Sequence, residues 1–137
     1  MLSIEPESPI QVLLLEDQED DLFATTRMLR DADAPGFTIT HASSLTEAIM
    51  CVRTDRSDVV LTDLCVGDSE GLATFESLRR AAPNLPIVVL SGISERDVAI
   101  SAVRKGAQDY LCKGTMNSEL LTRSLLHAIS RHRAEQA

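Results

Sequence analysis

Aromatic residues make up only 3% of this 137-residue chain, with no tryptophan, one tyrosine and three phenylalanines. Recognition of bases or sugars by ring stacking therefore has little material to work with. Cysteine is scarce as well. Cys51, Cys65 and Cys112 are odd in number and far apart, with no C-x-x-C or Cys/His pairing, which argues against a disulfide framework or a zinc site. An excess of positive charge is missing too: 13 Lys and Arg stand against 21 Asp and Glu, a net charge of −8. Such a field repels phosphate backbones. No apolar run approaches the ~20 residues of a membrane span. The N-terminus carries Glu5 and Glu7 without a basic stretch and does not read as a secretory signal. Neither G-x-x-x-x-G-K-[ST] nor G-x-G-x-x-G occurs, so the usual nucleotide cradles are absent. These absences lead us to expect a soluble, cytoplasmic protein with reduced thiols that binds neither nucleic acid nor membrane by itself.

What the chain does contain is short apolar runs alternating with helical patterns. A chain of this length buries roughly 70% of its extended surface, enough for one core. Residues 1–9 read as an N-terminal tail. Residues 10–15, 58–63 and 86–91 are nearly continuous apolar runs, as expected of strands buried on both faces. Residues 37–42 alternate Phe37, Ile39 and His41, the two-residue period of a strand, with His41 expected to face inward as a satisfied core histidine. Residues 108–112 make a fifth strand. Between them, residues 20–33, 44–52, 71–82, 94–105 and 117 onward have helical spacing. Ser44 and Glu47 form a capping-box pattern, Ser94 and Asp97 are placed to cap the fourth helix, and Gly106 suits a left-handed stop. Five β-then-α units in a row predict an α/β fold: a doubly wound, five-stranded parallel sheet in three α/β/α layers.

In such sheets ligands bind beyond the carboxyl ends of the strands. Glu16 and Asp17 follow the first strand, Asp63 ends the third, Ser91 ends the fourth, and the fifth runs through Tyr110 to Lys113. Three carboxylates at one rim repel one another unless a cation joins them, and a few carboxylates plus water is how proteins hold Mg²⁺. A carboxylate such as Asp63 can attack a phosphoryl group and form an aspartyl phosphate, with Lys113 and the metal offsetting charge on its oxygens. Asp20 and Asp21 read as first-turn acids favoured by the helix dipole, and Glu19 as a solvated neighbour.

With these residues in place, the chain resembles the receiver domain of two-component response regulators, the chemotaxis response regulator being the minimal example. The resemblance rests on LLLED ending in Glu16-Asp17, VVLTDL with Asp63, EGL at 70–72, VVLSG with Ser91, and DYLCKG with Tyr110 and Lys113. It covers residues 10–130 and implies the flavodoxin-like (βα)5 receiver fold. It further implies that Asp63 accepts a phosphoryl group from the phosphohistidine of a sensor histidine kinase or phosphotransfer protein. Mg²⁺ is then held by Glu16, Asp17, Asp63 and the backbone carbonyl of Cys65. Lys113 contacts the phosphoryl group, and Ser91 and Tyr110 form the switch pair. By the same resemblance, the face of the fourth helix, fifth strand and fifth helix carries the interaction with an output domain or protein, and is a route to a homodimer. The chain would act as a switch that only phosphorylates and dephosphorylates itself, turning over no metabolic substrate.

Three departures stand out. Gly114 occupies the place of the family's usual proline after the lysine. Gly67 replaces another proline, which with Asp68, Ser69 and Glu70 predicts a polar, mobile loop. Cys65 lies two residues after the acceptor. There it takes the place of the second acid in the Asp-x-Asp of aspartate-nucleophile phosphatases, which argues against that enzyme class. A degenerate, phosphorylation-independent scaffold is the alternative reading, although the acidic pair, acceptor and lysine are all retained. Residues 131–137 read as an extension of the last helix or the start of a linker, with Arg131, His132 and Arg133 as a solvated helix end complementing the dipole.

Overall fold

The computed structural model describes residues 8–33 and 36–136. Most of the expected N-terminal tail, and Ala34 and Pro35 at the break after the first helix, lie outside the described residues. Five strands, β1 (Ile10–Leu15), β2 (Phe37–Ala42), β3 (Val59–Asp63), β4 (Ile87–Ser91) and β5 (Asp109–Cys112), form one sheet in the order β2-β1-β3-β4-β5. All four pairings are parallel. Helices α1 (Glu19–Arg30), α2 (Leu45–Thr54), α3 (Leu72–Ala81), α4 (Arg96–Arg104) and α5 (Ser118–Gln136) complete the (βα)5 flavodoxin-like order.

The two-residue period of the strands explains the layering. Leu13, Leu15, Val60, Ile87 and Val89 point to one side, where Ala48 of α2, Phe75 and Leu78 of α3, and Ala99 and Ala102 of α4 cover them. Their neighbours Val12, Leu14, Val59, Leu61, Val88 and Leu90 point to the other side, under Leu29 of α1 and Leu121, Leu125 and Ala128 of α5. The central strands β3 and β4 are buried along their whole length, which is why they read as continuous apolar runs.

Several local expectations change. α1 ends at Arg30 rather than continuing to residue 33, because its last turn tightens: Ala32 N–H donates to the Leu29 carbonyl at 3.3 Å. α4 starts two residues later than expected and is not capped by Ser94. A short 3-10 turn, Ile93–Glu95, precedes it, and Glu95 Oε1 reaches back to accept from Gly92 N–H at 3.1 Å. His41 is exposed at the end of edge strand β2 rather than packed in the core. His132 is not solvated; it is buried, with Nε2–H donating to the Asn84 carbonyl at 2.7 Å. Beside it, Arg131 donates to the Gln108 carbonyl at 2.8 Å, so α5 is tied down close to its end. The Ser44 cap and the Gly106 stop are present, with Ser44 Oγ accepting from Glu47 N–H at 3.1 Å and Gly106 at φ 120°.

Leu61 is fully buried at the centre of the sheet. Truncation by Leu61→Ala should cost about 2–5 kcal/mol, read as a lowered urea midpoint with an unchanged slope.

Candidate functional site

Strand register brings the rim together. Leu15 pairs with Thr62 and Asp63 with Leu90, while Ser91 pairs with Cys112. Glu16, one step past the end of β1, therefore emerges at the level of Asp63, and Lys113, just after β5, emerges one step beyond Ser91. This is the carboxyl end of β1 and β3, where the chain turns outward in both directions from the middle of the sheet.

Glu16, Asp17 and Asp63 each offer a carboxylate oxygen to one point, the three atoms lying within 4.8 Å of one another. Glu16 and Asp63 are buried. Burial raises the Glu16 pKa, the Lys113 contact opposing it in part. The Glu16 backbone is fixed from the edge strand: its N–H donates to the Ala42 carbonyl at 3.0 Å, and its carbonyl accepts from His41 Nε2–H at 2.7 Å. His41 thus has its partner, but at the rim. Asp17 Oδ1 is buried and accepts no hydrogen bond among the described residues. An orphaned carboxylate oxygen facing two other acids is what a hard divalent cation requires, so the donor set fits Mg²⁺.

Lys113 supplies the positive charge. Its Nζ lies 2.7 Å from Asp63 Oδ2, 2.8 Å from Glu16 Oε1 and 2.8 Å from Asp21 Oδ2. Burial works against the ammonium, but the bonds to Asp21, Asp63 and Glu16 outweigh it and hold its pKa above the usual lysine value. Asp21 is the member that the sequence did not reveal. Expected to be a solvated first-turn acid, it lies on α1 yet meets a lysine 92 residues away. Nothing in the run Glu19-Asp20-Asp21 distinguishes it from its neighbours.

The loop after Asp63 is held rather than mobile. Cys65 N–H donates to Asp63 Oδ1 at 3.2 Å, and Cys65 Sγ donates to Glu95 Oε2 at 2.8 Å, a bond that raises the thiol pKa along with burial. Val66 and Ser69 pair through two backbone bonds, and Ser69 Oγ meets Thr74 Oγ1 at 2.7 Å. Asp68 reaches across to the start of α2, accepting from Leu45 N–H at 2.8 Å and from Thr46 N–H at 3.1 Å. These donors hold its carboxyl below the usual range. Ser91 is buried, and its carbonyl accepts from Lys113 N–H at 2.9 Å. It shares a groove of about 530 Å³ with Gly92, Ile93, Arg96, Tyr110 and Cys112, and Tyr110 packs partly buried against the core on the α4 side.

Removing the central cation tests this charge balance. Lys113→Met should destabilise the metal-free protein at neutral pH by about 2–3 kcal/mol, less than for a fully enclosed pair because the rim is partly wet. The raised Glu16 pKa gives the sign: the deficit should shrink as pH falls and Glu16 takes up a proton, checked by urea unfolding from pH 8 to pH 4. Asp68 has the opposite sign. Its lowered pKa means that its stabilisation is present above the unfolded carboxylate value and is lost as pH falls through the folded one. Asp68→Asn should speed amide exchange at Leu45 and Thr46 at neutral pH, and the difference should narrow on acidification.

Comparison with known proteins agrees with this geometry. The family model described as the response regulator receiver domain matches residues 12–124. The chain is 34% identical over 127 residues to the KDP operon transcriptional regulatory protein KdpE of Escherichia coli, covering 92% of this chain and 54% of that protein. It is 33% identical over 113 residues to the acid tolerance regulatory protein ActR of Sinorhizobium medicae, covering 82% and 57%. The chain thus spans little more than half the length of either relative. Among solved structures, a response regulator receiver domain protein from Clostridium thermocellum matches with a TM-score of 0.78 at 25% identity, over 91% of this chain and 98% of that one. The signal receiver domain of an HD domain-containing protein from Pseudomonas fluorescens Pf-5 is alike in fold, with a TM-score of 0.81 at 18% identity over 99% and 98%. With the family model covering most of its length, the chain belongs to the receiver domains of two-component response regulators.

Proposed function

We propose that the chain is a phosphorylation-controlled switch in which Asp63 is the acceptor. The observation that carries this reading is the Lys113 ammonium 2.7 Å from Asp63 at a rim that also holds Glu16 and Asp17. In the transfer, an Asp63 carboxylate oxygen forms a bond to phosphorus as the phosphorus–nitrogen bond of a partner's phosphohistidine breaks. The electron pair leaves on the imidazole nitrogen. Glu16, Asp17, Asp63 and the Cys65 carbonyl are the groups that would hold Mg²⁺, which when bound supplies positive charge against the phosphoryl oxygens. Lys113 supplies the remaining positive charge from its own side of the site.

Ser91 is the lever. Its place at the end of β4 lets its hydroxyl donate to a phosphoryl oxygen on Asp63, and the groove it shares with Tyr110 gives that ring a path inward behind it. The face of α4, β5 and α5 then changes shape, and it is the proposed surface for an output domain or protein, or for a second copy of the chain. The donor is a sensor histidine kinase or a phosphotransfer protein. Both relatives named above are transcriptional or regulatory proteins longer than this chain, which favours an output of that kind.

Incubation with labelled acetyl phosphate and Mg²⁺ tests the acceptor. Asp63→Asn should abolish labelling, and continued stoichiometric labelling would place the acceptor elsewhere. Asp17→Asn should raise the unfolding temperature in EDTA, because an unpartnered carboxylate is removed, and should erase the rise that Mg²⁺ gives the parent chain. An undiminished Mg²⁺ effect would remove Asp17 from the metal site. Ser91→Ala should still be labelled while amide shifts on α4 and β5 no longer follow phosphorylation.

A further inference from the structure

We propose that Asp21 is the positioning residue for Lys113, the one partner that holds its ammonium in place as the other two change character. This inference rests on the reading of Asp63 as the phosphoryl acceptor. An ammonium has three protons, and here three carboxylates surround it: Asp63 at 2.7 Å, Glu16 at 2.8 Å and Asp21 at 2.8 Å. Two of the three also belong to the cluster with metal-ligand spacing, and Asp21 does not. Glu16 and Asp63 would direct their negative charge toward a divalent cation if they held one. Phosphoryl transfer then turns Asp63 into an acyl phosphate, whose bridging oxygen is a poor acceptor. Asp21 undergoes neither change.

The backbone around the lysine makes such an anchor useful. Lys113 N–H is fixed to the Ser91 carbonyl, but the next residue is the exposed Gly114, the least restricted residue the chain can offer. A flexible four-carbon stem emerging there loses rotamer freedom when it engages the phosphoryl group. Asp21 takes up that ordering beforehand. It sits on the first turn of α1, in a rigid element, with its side chain 41% exposed and its Oδ2 turned onto Nζ. One N–H of the ammonium keeps donating to Asp21, another turns from Asp63 to a phosphoryl oxygen, and the nitrogen need hardly move.

Electrostatics alone gives the opposite expectation, which sharpens the test. Deleting a negative charge near an incoming anion should tighten anion binding, whereas deleting the anchor should weaken it. Beryllofluoride titrations at saturating Mg²⁺ and low salt, followed by amide NMR, compare the parent chain with Asp21→Asn, Asp21→Glu and Asp20→Asn. Asp20 is the matched control, since it carries the same charge one residue away and makes no ion pair with Lys113 among the described residues. Asp21→Asn should weaken binding about fivefold, the upper range for a partly exposed ion pair. Asp21→Glu should restore much of it, and Asp20→Asn should leave it unchanged or tighter. A second readout needs no ligand: relaxation of the Lys113 ε-methylene should report greater mobility in Asp21→Asn only. Unchanged or tighter binding in Asp21→Asn, or an ε-methylene as ordered as in the parent, would overturn the proposal. Failure of the parent chain itself to bind beryllofluoride would instead overturn the acceptor reading on which it rests.

Discussion

The Lys113 ammonium and the carboxylates gathered on it are the contact around which the rest of the site is arranged. Two like charges about 4 Å apart repel by roughly 4 kcal/mol at the effective dielectric of a protein rim. Glu16 and Asp63 are both buried there, with Asp17 close by, so the three acids would push the ends of β1 and β3 apart without a cation. Parallel strands in register offer no freedom to separate them. The fifth strand therefore has to deliver its lysine to the rim, and it does so by following β4 for four residues and leaving the sheet at the right level. One ammonium among four acids still leaves the rim negative. That residual negative charge favours a cation at the rim, independent of any resemblance.

Much of this was legible in the amino-acid order. Strands buried on both faces read as apolar runs, and runs interrupted by helical spacing imply parallel pairing. In a parallel sheet every strand ends on the same side, so Glu16, Asp17, Asp63, Ser91 and Lys113 had to share one rim. The logic fails where local pattern underdetermines tertiary placement. Asp21 and Asp20 are equally good first-turn acids, and only the way α1 packs against α5 and β2 decides which one meets the lysine. The period of β2 tells which residues share a face, yet on an edge strand that face is only partly covered: His41 is exposed while the next residue, Ala42 on the other face, is fully buried.

Loops were the least legible. Gly67-Asp68-Ser69 has the composition of a mobile turn, but composition says nothing about distant acceptors and donors. The free N–H groups at the start of α2 are satisfied by a carboxylate 22 residues or more along the chain, which no local capping rule anticipates. Likewise the 3-10 turn before α4 arises because Glu95 is drawn two ways, to Gly92 behind it and to Cys65 across the site.

Asp68 also has a consequence for the helix it touches. The first turn of α2 borrows its terminal acceptor from the loop that carries the residues following Asp63. A displacement of that loop large enough to withdraw Asp68 would return the Leu45 and Thr46 donors to water, and α2 would fray from its beginning. Where the loop after Asp63 sits and how long the second helix is are thus linked, so a change at the rim would be felt on a side of the molecule remote from α4 and β5.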